Sequence, residues 1–115
     1  MTRELRVAVV GFGWMGQAHA RAYARLLHHY PDAPLRPRLV AVADTADDDR
    51  LARAAGAYGF ERTYRDWQTL LDREDVDVVS VTGPNHLHAE VGTAAAAAGK
   101  HLWIEKPVGR SAQET

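Results

Sequence analysis

Three short stretches of this chain combine residue types and spacings that could do chemistry: "GFGWMG" at residues 11–16, "TGPNHLHAE" at 82–90 and "EKP" at 105–107. Gly11, Gly13 and Gly16 form a G-x-G-x-x-G pattern, straight after the apolar run "LRVAVV" and straight before a stretch of helical rhythm. In that setting the first glycine permits a tight turn, the second lets backbone come close to a diphosphate, and the third lets the helix pack close to its strand. An anion held there sits on the free N–H groups that open a helix, at the positive end of its dipole. The turn as a whole, Gly11, Phe12, Gly13, Trp14, Met15 and Gly16, is therefore the candidate dinucleotide cradle. A glycine-rich strand-to-helix turn that binds nothing remains the plainer alternative, and a P-loop is excluded because no Gly-Lys-Ser/Thr follows.

Asp44 closes a second apolar run, "RLVAVAD", where a carboxylate would meet the ribose hydroxyls of an adenosine. A carboxylate there repels a 2′-phosphate, which favours NAD over NADP. Arg50 and Arg53 lie a little further on and keep NADP possible. The alternative for Asp44 is an acid that serves only the dipole of the next helix.

The elements that must position these residues can be read from periodicity. Leu5 to Val10 reads as a buried strand, and from Trp14 the residues Met15, Ala18, Ala22 and Leu26 fall at helical steps. Pro31, Pro34 and Pro37 mark "YPDAPLRPR" as a loop that neither a helix nor a central strand should cross. "RLVAVAD" is the second strand. "TADDDRLARAAG" reads as a helix with Thr45 as N-cap, early acids, later arginines and Gly56 as its stop. A third strand is expected around Tyr58 to Phe60, a short helix in "DWQTLLD" and a fourth strand in "VDVVSVT". An alanine-rich helix should run from Leu87 to Ala98 with Gly99 beyond it, followed by a fifth strand in "HLWIE". Such alternation predicts an α/β fold, a doubly wound parallel sheet of about five strands, with one domain over residues 1–115. The glycine turn, Asp44, the 82–90 block and the "EKP" block then all fall at the carboxyl edge of the sheet, where ligands bind in such folds. Ser111 and Glu114 have capping-box spacing, so a further helix is expected there and the sheet reads as cut short before a sixth strand.

Composition narrows the class. Fourteen basic residues against 15 acidic ones produce no field suited to nucleic acid or an anionic membrane. With no cysteine there are no disulfides, thiolate metal sites or thiol nucleophiles. Arg3 and Arg6 ahead of an apolar run, with Ala18-His19-Ala20 behind it, could be mistaken for a secretion signal; the three glycines interrupt its core and the helical rhythm continues past Ala20. A cytoplasmic protein is expected. His28 and His29 are adjacent and His86 and His88 are two apart, so neither pair has the spacing that puts two metal ligands on one helical face, and no metal is expected.

Four blocks in order, "VGFGWMGQAHA", "LVAVAD", "TGPNHLHAE" and "AAGKHLWIEKP", together resemble the amino-terminal domain of the Gfo/Idh/MocA oxidoreductases, the glucose-fructose oxidoreductase and inositol dehydrogenase group. The resemblance covers almost the whole chain and implies a Rossmann domain of an NAD(P)-dependent enzyme acting on a sugar or polyol. It implies that Lys106 is the family's "EKP" lysine, between nicotinamide and substrate, with Glu105 holding the lysine or touching the nicotinamide ribose and Pro107 fixing the backbone. It also implies that Thr82, Pro84, Asn85 and His88 contact the nicotinamide half, that His86 faces solvent, and that His19 packs against the glycine turn. Family members carry a second, substrate-binding domain that also forms a homo-oligomer interface, and neither that domain nor the downstream aspartate and histidine of the family falls within these residues. A binding module without turnover is the competing reading, one that would not need the "EKP" block; on its own, that block is also a charged strand end stopped by proline.

Overall fold

The computed structural model describes residues 3–45 and 48–115. Five strands form one parallel sheet: β1 (Arg3–Val10), β2 (Leu35–Ala43), β3 (Arg62–Tyr64), β4 (Val78–Val81) and β5 (His101–Ile104), in the order β3-β2-β1-β4-β5. The helices are α1 (Trp14–His29), α2 (Asp48–Tyr58), α3 (Trp67–Arg73) and α4 (Asn85–Ala97). The strands are short apolar, β-branched runs because both faces of the sheet are covered. Alternate residues of β1 show it: Val7 and Val9 pack with Phe12, Ala20, Leu51 and Ala55 on the α1/α2 side, while Ala8 and Val10 pack with Leu70, Val79, Val91 and Ala95 on the α3/α4 side.

Several boundaries differ from the sequence expectation. Pro37 lies inside β2, opposite Leu5 of β1. It is tolerated because β3 pairs only with Ala41 to Ala43, so the first half of β2 has a neighbour on one side alone, the edge setting in which a missing N–H costs no ladder bond. One extra residue of β2, Val40, bulges out between the Val7 and Ala8 pairings. Helix α2 runs through Gly56 to Tyr58, and Gly59, with φ +84°, is the left-handed residue that ends it. That extension displaces β3 from Tyr58–Phe60 to Arg62–Tyr64. The expected cap at Thr45 does not adjoin the helix, which starts at Asp48; residues 46 and 47 between them lie outside the described residues, as does the side chain of Arg50.

Helix α3 is capped as its sequence suggests: the Asp66 carboxylate accepts from the Thr69 N–H at 2.9 Å and from its hydroxyl at 2.7 Å. Those bonds, the hydroxyl's first, hold the Asp66 carboxyl below its usual range. Helix α4 starts at Asn85, two residues earlier than its apolar pattern indicates, with Pro84 as the residue before it. At the carboxyl terminus Ser111 Oγ accepts from Glu114 N–H at 3.2 Å, while the Glu114 carboxylate pairs with Arg110. The segment makes a single turn and no helix.

At the amino edge, Asp77 ties β4 to β1. It accepts from the Arg6 backbone N–H at 2.8 Å and from two guanidinium nitrogens at 3.0 and 3.2 Å. The Arg6 guanidinium first, and its backbone N–H second, draw the Asp77 carboxyl down to about 2.

Candidate functional site

Because all five strands are parallel, their carboxyl ends open onto one edge. Backbone bonds just past the strands keep the following loops aligned: Gly11 N–H to Ala43 O (2.8 Å), Asp44 N–H to Tyr64 O (3.0 Å), Thr82 N–H to Val10 O (2.9 Å) and Glu105 N–H to Val81 O (3.0 Å). Strand order reverses at β1, between β2 and β4, so the crevice above β1 is the switch point of the sheet.

The three glycines have separable structural reasons. Gly11 has φ +92°, and a Cβ on it would lie 2.3 Å from Gly83 Cα. Gly16, in the first turn of α1, would put a Cβ 2.1 Å from Gly11 O. Those two are demanded by the close approach of turn, helix and the β4–α4 loop. Gly13, the residue before α1, has ordinary φ and nothing within 4 Å of the added atom, so no protein neighbour explains the missing side chain. It is exposed beside the N-terminal turn of α1, whose first N–H groups have no partner within the helix. This open, side-chain-free approach to a helix N-terminus is the shape a diphosphate requires.

Phe12 buries its ring against Tyr58 and Phe60, edge to face at 5.5 and 5.4 Å, which anchors the turn. Its N–H donates to Asp44 Oδ2 at 2.5 Å. Asp44 therefore holds the glycine turn as well as standing at the end of β2. Trp14 is 78% exposed at the start of α1, and Met15 is half-buried. Between the turn and the β2 and β4 loops lies an open cleft of about 210 Å³, lined by Gly11, Asp44, Thr45, Gly83 and Pro84 together with Arg65, Trp67, His86 and Leu87. The last four are absent from the expected cofactor contacts. Trp67 and Arg65 come from the β3–α3 segment, which folds over the cleft through tertiary packing that no local motif announces. His86 is exposed, yet it lies on the cleft wall.

Thr82 and His88, both expected to contact the nicotinamide half, are each bonded to backbone of the neighbouring loops. The Thr82 hydroxyl donates to Gly11 O at 2.6 Å, locking the β4 loop to the glycine turn. His88 is buried, with Nδ1 at 2.6 Å from Pro107 O and Nε2 at 2.9 Å from Gly83 O. It joins the β4–α4 turn to the "EKP" loop, so its influence on any ligand passes through the backbone that it holds. Pro84 and Asn85 are exposed at the start of α4. Lys106 is exposed, and its peptide bond to Pro107 is cis. Glu105 is a quarter exposed and accepts from His19 Nε2 at 3.0 Å.

The buried face of α1 is Gly16, His19 and Ala20, with Tyr23 half-buried; Ala22, part of the apolar rhythm, is exposed. His19 packs inward, and the contacts of its ring are Ser80, Glu105 and Trp103, where the resemblance implied the glycine turn. The signal for this was its position three residues after Gly16, on the same helical face.

This geometry agrees with the comparisons to known proteins. The family model of the Gfo/Idh/MocA oxidoreductases, described as an oxidoreductase family with an NAD-binding Rossmann fold, matches residues 5–115. The chain belongs to this family. It is 42% identical over 113 residues to a levoglucosan dehydrogenase of Pseudarthrobacter phenanthrenivorans, covering 98% of this chain and 29% of the relative. It is 32% identical over 111 residues to an inositol 2-dehydrogenase of Salmonella typhimurium, covering 96% of this chain and 31% of the relative. Among solved structures, a levoglucosan dehydrogenase in complex with NADH superposes with a TM-score of 0.90 at 42% identity, over 97% of this chain and 30% of that one. The chain spans less than a third of the length of these relatives and corresponds to their NAD-binding part. Among the described residues no helix is long and apolar enough to cross a membrane.

Proposed function

We propose that this chain is the cofactor-binding part of a longer NAD-dependent dehydrogenase that oxidises a secondary hydroxyl of a sugar or polyol. The observation that carries the reading is Gly13: a glycine without a protein reason, at a helix N-terminus, above the switch point of the sheet and beside a carboxylate at the end of β2. The residues present suit an NAD molecule. The diphosphate would lie on the N–H groups of Trp14, Met15 and Gly16, the adenosine ribose on Asp44, and the adenine in the cleft under Trp67. Because Asp44 already bonds to the Phe12 N–H, ribose binding and the shape of the glycine turn are coupled through one carboxylate.

The bound nicotinamide would supply the hydride acceptor. Lys106, on the loop after β5, is the proposed catalytic residue. Its Nζ would hold the substrate hydroxyl and stabilise the oxygen as its proton departs. Glu105 would accept from the nicotinamide ribose or from Lys106. Thr82 and His88 fix the two loops between which nicotinamide and substrate would meet, and Pro84 and Asn85 would border the nicotinamide. The levoglucosan and inositol dehydrogenase relatives favour a cyclic polyol or anhydrosugar as substrate. We place the complete protein in the cytoplasm as a homo-oligomer.

The test is a fluorescence titration of NADH and of NADPH, with Asp44→Ala alongside. Tighter NADH binding that weakens at least tenfold in the variant, about 1.4 kcal/mol, supports the reading. Equal binding of both dinucleotides by both proteins contradicts the role of Asp44, and no binding by a folded chain contradicts the site.

A further inference from the structure

The α1 face of the sheet contains a polar chain inside an otherwise apolar layer. Tyr23 hydroxyl lies 2.7 Å from Ser80 Oγ, Ser80 Oγ lies 3.1 Å from His19 Nδ1, and His19 Nε2 lies 3.0 Å from Glu105 Oε2. Ser80 is fully buried and His19 is 3% exposed. Trp103 of β5 stacks on the His19 ring, with centroids 3.8 Å apart and planes 26° from parallel, and meets Tyr23 edge-on at 5.3 Å. Burying polar side chains where valine would pack costs stability unless every one is bonded, and here each one is.

The chemistry of the donors orders the chain. The Glu105 carboxylate only accepts, so His19 Nε2 must carry a proton toward it. In a neutral imidazole Nδ1 is then the acceptor, and Ser80 donates to it. With its own proton directed at His19, Ser80 Oγ takes the Tyr23 proton. Burial raises the Tyr23 phenol above its usual range, against the opposing bond from Ser80, which keeps that hydroxyl a donor. All three donations run toward Glu105, which stands just past β5 at the carboxyl edge of the sheet.

We propose that His19 is a positioning residue for Glu105: Tyr23 and Ser80 select its Nε2–H tautomer, and that N–H fixes one carboxylate oxygen so that the other faces the nicotinamide ribose and Lys106. The role at the ribose rests on the dinucleotide reading above; the tautomer does not. Among the described residues the charged partner recorded for His19 is Glu105, and the elements packed around it contribute Ser80 and Trp103, with Tyr23 one bond further along.

Two measurements on the 115-residue chain separate these layers. Long-range proton–nitrogen NMR correlations of His19 should show the Nε2–H tautomer at neutral pH, and Tyr23→Phe should mix in the Nδ1–H form. A dominant Nδ1–H signal, or no response to Tyr23→Phe, overturns the proposed ordering whatever the chain binds. In NADH titrations, His19→Phe keeps the stack on Trp103 but loses the donor, and its affinity should fall about tenfold. His19→Gln places an amide N–H near Nε2 and should recover to within about threefold of the parent. Should His19→Phe fail to fold, Tyr23→Phe and His19→Gln against Glu105→Gln still decide. Parent-like affinity in Glu105→Gln or His19→Phe overturns the positioning role, and failure of the parent itself to bind NADH overturns the dinucleotide reading and the ribose role with it.

Discussion

Gly11 and Gly13 stand two residues apart in the same motif, and replacing each by alanine should separate a demand of the fold from a demand of the ligand. At Gly11 the new Cβ would lie 2.3 Å from Gly83 Cα, 2.4 Å from Gly83 N and 2.8 Å from Thr82 C, all backbone atoms that cannot swing away. The φ of +92° adds conformational strain of about 1–2 kcal/mol for a residue with a side chain. Overpacking of this kind costs typically about 1–3 kcal/mol more, so Gly11→Ala should lose roughly 2–5 kcal/mol. For 115 residues an unfolding entropy of about 2.1 cal/mol/K per residue turns that into a fall in Tm of roughly 8–20 °C. At Gly13, with φ −79° and empty space around the added atom, the only structural loss is a weaker helix cap, at most about 1 kcal/mol or roughly 4 °C. NADH affinity, in contrast, should drop at least tenfold in Gly13→Ala, because its methyl group stands where the diphosphate must approach. Thermal melts by circular dichroism and fluorescence titrations provide both numbers. If Gly13→Ala melts as low as Gly11→Ala, or binds NADH like the parent, the assignment of Gly13 to the ligand fails.

Three further outcomes are expected. Asp77→Asn should destabilise the chain by about 1–2 kcal/mol at pH 7, after allowance for solvent screening at this partly open site. Since the folded carboxyl titrates at about 2, below its usual value of 3.8, the contribution is complete above pH 4 and disappears as pH falls through 2, so parent and variant melts should converge in acid. Lys106→Met in the complete protein should reduce turnover at least a hundredfold while NADH affinity stays within about threefold; unchanged turnover would remove Lys106 from the mechanism. Among the described residues the outer edge of β5 has no strand beside it, and Leu102 on that strand and Val108 beyond it are exposed, so the 115-residue chain should self-associate on concentration, and Leu102→Lys should shift it toward monomer in sedimentation velocity. A monodisperse parent with a sharp melt would count against that expectation.

Much of this protein can be read directly from its sequence because the signals are local. A buried parallel strand is an unbroken β-branched run, so β1, β2 and β4 announce themselves; Gly11, Gly13 and Gly16 announce the turn because they stand between an apolar strand run and a stretch of helical rhythm. Strand-to-helix alternation then fixes the class of fold, and parallel strands put Asp44, Gly83 and Glu105 on one edge without any knowledge of packing. The elements whose limits depend on neighbours were not legible in this way: β2 tolerates Pro37 only because β3 is three residues long, and α2 passes Gly56 because the left-handed stop falls at Gly59. Tertiary structure decided which partners the inward polar groups meet. The repeat of Met15, Ala18, Ala22 and Leu26 names a helix but not its buried side, and that side proved to be the one with His19 and Tyr23, since Ser80 of β4 and Glu105 just past β5, both more than 55 residues away, satisfy them. Likewise the cleft owes Trp67 and Arg65 to the way α3 folds back over the sheet, and His88 became a clamp because two carbonyls, distant in sequence, converge on its ring. A hydrogen bond across the core depends on where both partners end up, and that position is a property of the packed chain, not of any segment within it.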